Sequence, residues 1–173
     1  MGAVCAFFVA MRFTTRKIAL CGIAAGLYAA ITLLTSSFAY GPVQFRVAEA
    51  LSVLCCFEPT LVVGITLGCF VSNIFSTVSA LDMIFGTLAT LLASLCMTKC
   101  RRMWQTVLPN VVLNGLIIGA LIAWTSAPDA FLEMFLINGA QVAVGELAVM
   151  LVLGLPLYGY LKKSGLVARL LGQ

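Results

Sequence analysis

The sequence predicts an all-α integral membrane protein, a single bundle of six transmembrane helices with both termini in the cytoplasm. Three observations predict it. First, 62% of the 173 residues are hydrophobic and 9% are charged, against roughly a quarter charged in soluble domains, and the mean hydropathy is +1.13. Second, the apolar runs are continuous, as in membrane helices, rather than alternating, as in barrel strands. Third, the basic residues fall in three clusters: Arg12/Arg16/Lys17, Lys99/Arg101/Arg102 and Lys162/Lys163/Arg169. Six spans place all three on one side of the bilayer, and basic residues mark the cytoplasmic side. Arg46 alone falls on the other.

Residues 1–11 are apolar and uncharged ahead of Arg12. A secretory signal would carry its positive charge first, so 1–11 reads as an N-terminal extension and 12–173 as one domain. Span one runs from about Ile18 to Phe38. Its Gly22, Gly26 and Ala30 recur every fourth position, a smooth stripe that lets another helix approach closely. The spacing fits packing within this chain and docking of a partner equally well. The Tyr40-Gly41-Pro42 turn follows, and Pro42 suits a helix start. Span two, about Val43 to Phe57, is short and ends at Glu58-Pro59, a natural break. Span three, about Thr60 to Val78, holds Gly64, Gly68 and Asn73.

Span four begins at Asp82, where an acid suits the helix dipole, and runs to about Met97. Span five, about Thr106 to Trp124, carries Asn110 and Asn114 on one face, as their i,i+4 spacing requires. The loop from Thr125 to Glu133 holds acids and no base. Span six, about Phe131 to Leu161, carries Asn138, Gln141 and Glu146 in an otherwise apolar run.

Burying a charge in hydrocarbon costs at least ~2.5–3.5 kcal/mol, so Arg46 and Glu49 need an explanation. One is a self-satisfied ion pair near the interface. The other is a polar pocket that this stretch caps and lines. The topology places Arg46, Glu49, Asn73, Asp82, Asn138 and Gln141 in the outer half, with Asn114 and Glu146 near the midplane. Asn110 lies closer to the cytoplasm. Interhelical hydrogen bonding accounts for any single amide. It accounts less well for the set, because Glu49, Asp82 and Glu146 share one arginine. Such an excess of acid is neutral, hydrated or waiting for a donor-rich or cationic ligand.

The composition also narrows function. There is no histidine, which removes the commonest general base and metal ligand. The seven cysteines (Cys5, Cys21, Cys55, Cys56, Cys69, Cys96 and Cys100) include no Cys-x-x-Cys pair and read as small packing residues. No phosphate-binding Gly-x-x-x-x-Gly-Lys-Ser/Thr loop is present, so any use of ATP must come from partners. The expectation is a solute-binding transport protein, not an enzyme, with no cofactor, no metal site and no nucleic-acid partner. A stand-alone transporter coupled to protons or sodium stays open as an alternative.

The stretch Tyr40-Gly-Pro-Val-Gln-Phe-Arg-Val-Ala-Glu-Ala-Leu-Ser-Val-Leu54, with Gly64-Ile-Thr-Leu-Gly68, Ser72-Asn73 and Asp82-Met-Ile-Phe-Gly-Thr-Leu-Ala-Thr-Leu91, resembles the QueT family. The resemblance covers about residues 12 to 165. It implies a substrate-binding S component of an energy-coupling factor (ECF) transporter in the bacterial cell membrane. It further implies a six-helix bundle with an outward-facing pocket, closed by the loop between spans one and two. The implied partners are the transmembrane subunit EcfT, docked on the stripe Gly22, Gly26 and Ala30, and two ECF ATPase subunits. The implied ligands are queuosine precursors: 7-aminomethyl-7-deazaguanine (preQ1), queuine or a relative. An S component for a different vitamin is the nearby alternative.

The residue chemistry agrees with that ligand class. A guanine-like edge offers N–H and NH₂ side by side, which one carboxylate can accept as a pair. Its carbonyl and ring nitrogen want a donor, and its face wants an aromatic ring. The candidate substrate-binding residues are Tyr40, Phe45, Arg46, Glu49, Asn73, Asp82, Phe85, Asn114, Asn138, Gln141 and Glu146, with Phe38 a further candidate aromatic. Glu146 or Glu49 is expected on the base edge, with Asp82 next; the alternative for Arg46 is to pair with Glu49 and hold the gate closed.

Overall fold

The computed structural model describes residues 14–39, 45–75 and 81–172, with the side chains of 38 and 39 left out. The expected extension 1–11, the Tyr40-Gly41-Pro42 turn and the side chain of Phe38 therefore lie outside the described residues. Among the described residues the chain is helical throughout, with no strand.

Helix α1 (Thr15–Leu34) starts behind Thr14, whose hydroxyl accepts the Lys17 N–H at 3.4 Å. A short α2 (Ser36–Ala39) follows, then a 3-10 helix (Val47–Cys56), α3 (Leu61–Asn73) and α4 (Asp82–Met97). A turn at Met103–Thr106 leads into α5 (Val107–Ser126), and a second at Pro128–Ala130 into α6 (Phe131–Val149). A π-helical turn (Met150–Gly154) joins α6 to α7 (Leu155–Ser164), and α8 (Leu166–Leu171) ends the chain.

Three helical stretches are long and apolar enough to cross a membrane: Thr15–Leu34, Met103–Ser126 and Pro128–Ser164. Three shorter apolar helices, Val47–Cys56, Leu61–Asn73 and Asp82–Met97, lie between the first two. The surface is apolar where a soluble protein's would be polar. Leu34, Leu67, Ile84, Leu116 and Leu132 are exposed, while Arg46, Glu49, Asn73, Asp82, Asn110, Asn114 and Glu146 are buried. Lipid offers no hydrogen bonds, so polar groups turn inward to find partners.

Helices α1, α3, α4, α5 and α6 pack each against the next, and the 3-10 helix sits among α1, α3, α4, α6, α7 and the π turn. Sequence reasoning expects an ordinary short helix at this central position. The tighter winding has two consequences. At about 2.0 Å per residue, ten residues reach about 20 Å, where an α-helix would reach about 15 Å. Three residues per turn also stack i, i+3 and i+6 in line, so Glu49, Ser52 and Cys55 form one row behind Arg46 at the N-cap, all four buried.

The α1–α3 contact depends on glycines of α3. A Cβ on Gly64 would stand 2.5 Å from the Cys21 carbonyl oxygen, and one on Gly68 2.6 Å from that of Ala25. The face of α1 that α3 meets carries Cys21, Ala24, Tyr28 and Thr32. Gly22, Gly26 and Ala30 lie on the opposite, exposed side, and a Cβ on Gly22 or Gly26 would meet nothing within 4 Å. Packing within the described chain therefore does not use the stripe.

In span six, Pro156 falls in the first turn of α7. Proline lacks the N–H and crowds the carbonyl four residues back, and the wide turn Met150–Gly154 relieves both. Near the same end of the bundle the Arg16 guanidinium donates to the Leu171 carbonyl at 3.4 Å, and the Tyr158 hydroxyl to that of Arg101 at 3.2 Å. These contacts bring Arg16 and Arg101, from two of the basic clusters, to the segment 158–171 that carries the third.

Candidate functional site

The buried row of the 3-10 helix organises two linked polar clusters. In the first, the Arg46 guanidinium forms an ion pair with Asp82 Oδ2 at 3.1 Å and donates to Asn73 Oδ1 at 2.9 Å. Asn73 in turn donates to the Asp82 carbonyl at 3.3 Å and to Cys69 Sγ at 3.3 Å. This ties the 3-10 helix to the end of α3 and the start of α4. Asp82 does open α4 as expected, but its side chain is fully buried against arginine. Arg46 thus pairs across helices rather than along its own with Glu49.

In the second cluster, Tyr28 and Thr90 both donate to Glu49 Oε1 at 2.6 Å. Two hydroxyl donors on one oxygen hold the carboxylate in a fixed orientation. Its other oxygen, Oε2, is buried with no partner among the described residues. Below Glu49, the Asn110 amide donates to the Glu49 carbonyl at 3.2 Å, to Ser52 Oγ at 3.1 Å and to Met150 Sδ at 3.3 Å. Asn110, which the sequence sets apart towards the cytoplasm, is therefore part of the same arrangement.

Glu146 and Asn114 complete the set. The antiparallel register of α5 and α6 follows from close contacts of Gly119 with Gly139 and of Gly115 with Ala143. Asn110 meets Met150 one step further on. The same register sets Asn114 level with Glu146. Both are buried, and both Glu146 oxygens and both Asn114 amide atoms lack a partner among the described residues. Buried polar groups are ordinarily hydrogen-bonded, and each unmet one costs about 1–3 kcal/mol, more when charged. Three residues on three elements thus present five unmet polar atoms in one part of the interior: two on Glu146, two on Asn114 and one on Glu49.

The other sequence candidates stand apart. Asn138 donates to its own helix, to the Met134 carbonyl at 2.8 Å. Gln141 is half-buried on α6. Phe45 is 37% exposed, and Phe85 lines a separate apolar groove with Leu88, Trp124 and Phe131.

Sequence reasoning missed Tyr28, Thr90, Cys69 and Gly86. A Cβ on Gly86 would sit 2.7 Å from Asn73 Nδ2 and 2.8 Å from Asp82 Oδ1, so this glycine makes room for the Arg46 cluster. Asp82, Gly86 and Thr90 follow each other at four-residue spacing on one helix face, a signal that was available. The reading of the cysteines as packing residues covers Cys55, but Cys69 Sγ donates to Thr90 Oγ1 at 3.2 Å and Cys21 Sγ to the Thr60 carbonyl at 3.2 Å.

The family described as QueT transporter matches residues 18–163, most of the chain and all of the residues just described. The chain belongs to the QueT transporter family. It is a multi-pass membrane protein of a transporter family, not an enzyme family. A segment of 79 residues is 38% identical to the queuosine precursor transporter QueT of Lactococcus lactis subsp. cremoris (strain MG1363), covering 44% of this chain and 46% of that protein. The matched stretch is thus less than half the length of that QueT relative. No solved structure gives a significant match.

Proposed function

We propose that this chain is the membrane-embedded, substrate-binding S subunit of an ATP-driven ECF importer for queuosine precursors in the bacterial cell membrane. One observation carries the reading to a ligand: Glu146 and Asn114, level with each other and fully buried, present two acceptors and a paired donor and acceptor with no partner among the described residues. A 7-deazaguanine supplies the complement. Its N–H and NH₂ meet the two oxygens of Glu146, and its carbonyl meets the Asn114 amide. QueT family membership and the name of the Lactococcus relative support the same ligand class.

The six apolar helical stretches are six spans, and the end that gathers the basic clusters faces the cytoplasm. Arg46, Asn73 and Asp82 then lie towards the outside, where they hold the outer ends of α3 and α4 to the 3-10 helix. The exposed stripe Gly22, Gly26 and Ala30 is the docking face for EcfT, and two ATPase subunits supply the energy.

Uptake into proteoliposomes tests the coupling. The chain alone should bind a labelled 7-deazaguanine without accumulating it, and accumulation should require the coupling subunits and ATP. Accumulation by the chain alone, driven by a proton or sodium gradient, would establish the secondary-transporter alternative.

A further inference from the structure

The buried charges of the interior do not balance. The buried charged residues are Arg46, Glu49, Glu58, Asp82 and Glu146. Glu58 pairs with Lys17 at 3.1 Å, and Asp82 pairs with Arg46 at 3.1 Å. Glu49 and Glu146 are left without a cation of their own among the described residues, on the 3-10 helix and on α6, which pack against each other.

Their geometry assigns them different tasks. Glu146 offers two unmet oxygens, the number a guanine-type edge uses. Glu49 has one oxygen locked by Tyr28 and Thr90 at 2.6 Å each and a single oxygen, Oε2, unmet among the described residues. A lone, oriented carboxylate oxygen beside a second carboxylate favours a compact cation over another flat hydrogen-bonding edge. Asn114, 1% exposed and with neither amide atom satisfied among the described residues, stands level with Glu146 and gives the region a polar group that no charge repulsion explains.

We propose, resting on the ligand class proposed above, that Glu49 determines specificity within it. Its free oxygen is the counter-ion for a protonated amine on the ligand's 7-substituent, so the protein selects cationic over neutral 7-deazaguanines. Glu146 and Asn114 read the base, and Glu49 reads the charge. Tyr28 and Thr90 are positioning residues, which aim Oε2 by holding Oε1.

A matched pair of ligands isolates the charge. 7-Aminomethyl-7-deazaguanine carries an ammonium at neutral pH. 7-Cyano-7-deazaguanine has the same base edge and a neutral substituent. Both are titrated calorimetrically into the purified full chain at one pH. The aminomethyl compound should bind at least about tenfold more tightly, since charge-assisted hydrogen bonds are roughly twice as strong as neutral ones. Glu49→Gln keeps an acceptor for the two hydroxyls and should shrink that ratio towards one. Equal affinities of wild-type protein for the two compounds, or a preference for the cyano compound, would overturn the role of Glu49 while leaving the ligand class standing. Binding of neither by folded protein would overturn both. The wild-type comparison can overturn the role of Glu49 even if the variant does not fold.

Discussion

Arg46 and Glu58 each hold an ion pair, in different surroundings. Arg46–Asp82 is sealed in the interior, where desolvation offsets most of the Coulomb gain and the pair mainly fixes geometry. Glu58 lies at the break after the 3-10 helix, beside Lys17, with the Thr60 hydroxyl and N–H donating to the same carboxylate oxygen at 2.8 and 3.1 Å. Burial pushes the Glu58 carboxyl up, but these hydrogen bonds and Lys17 outweigh it and hold it below its ordinary value of 4.5. A depressed carboxyl stabilises the fold above its unfolded value and loses that contribution as pH falls through the folded one. Thermal unfolding from about pH 7 to about pH 3 should therefore show Glu58→Gln less stable than wild type at neutral pH, with the gap closing below about pH 4.5. A gap that stays constant with pH would contradict the role given to this carboxylate.

Single helices show where spacing is informative and where it stops. The regular stripe on α1 is visible in the sequence, but spacing alone leaves two faces for the helix to bury. The choice is made by α3, whose Gly64 and Gly68 admit Cys21, Ala25 and Tyr28 at closer range than any side chain would allow. Gly68→Ala should therefore destabilise the protein by about 1–3 kcal/mol, because the atom in the way is a backbone carbonyl. Gly26→Leu should leave melting temperature and ligand binding unchanged, since its Cβ would meet nothing within 4 Å beyond its own helix turn among the described residues, yet weaken co-purification with EcfT. Unchanged assembly of Gly26→Leu with EcfT would remove the stripe as the docking face. The 3-10 winding of Val47–Cys56 was not legible. The stretch reads as apolar helix either way, and the tighter turn is recognisable only once Arg46 is seen against Asn73 and Asp82, Glu49 against Tyr28 and Thr90, and Ser52 against Asn110.

At the scale of the whole molecule, composition was enough to pick out six apolar helical segments, because lipid forces apolar residues outward and polar ones inward. The same logic picked out Arg46, Glu49, Asn73, Asp82, Asn114 and Glu146 as the interior's polar set. It did not show their pairing. Arg46 lies three residues from Glu49 and 36 from Asp82, yet it is Asp82 that it meets, because the packing of α4 brings that acid to it. It also placed Asn138 and Gln141 in the set, where the packing of α5 on α6 leaves them at the margin. What results is an interior where one carboxylate is consumed by arginine, one is half-consumed by hydroxyls, and one is unmet among the described residues. That gradient supports a ligand seated at Glu146, Asn114 and Glu49.

Equilibrium binding to the purified chain in detergent tests this most directly, with 7-aminomethyl-7-deazaguanine, queuine and guanine titrated beside thiamine and riboflavin. The account predicts saturable, one-to-one binding of a 7-deazaguanine, recovered chemically unchanged, with no response to the two vitamins. It also predicts an affinity loss of about tenfold or more in Glu146→Gln, the worth of a charge-assisted hydrogen bond. Silence across the panel from folded protein, or full affinity in Glu146→Gln, would contradict it.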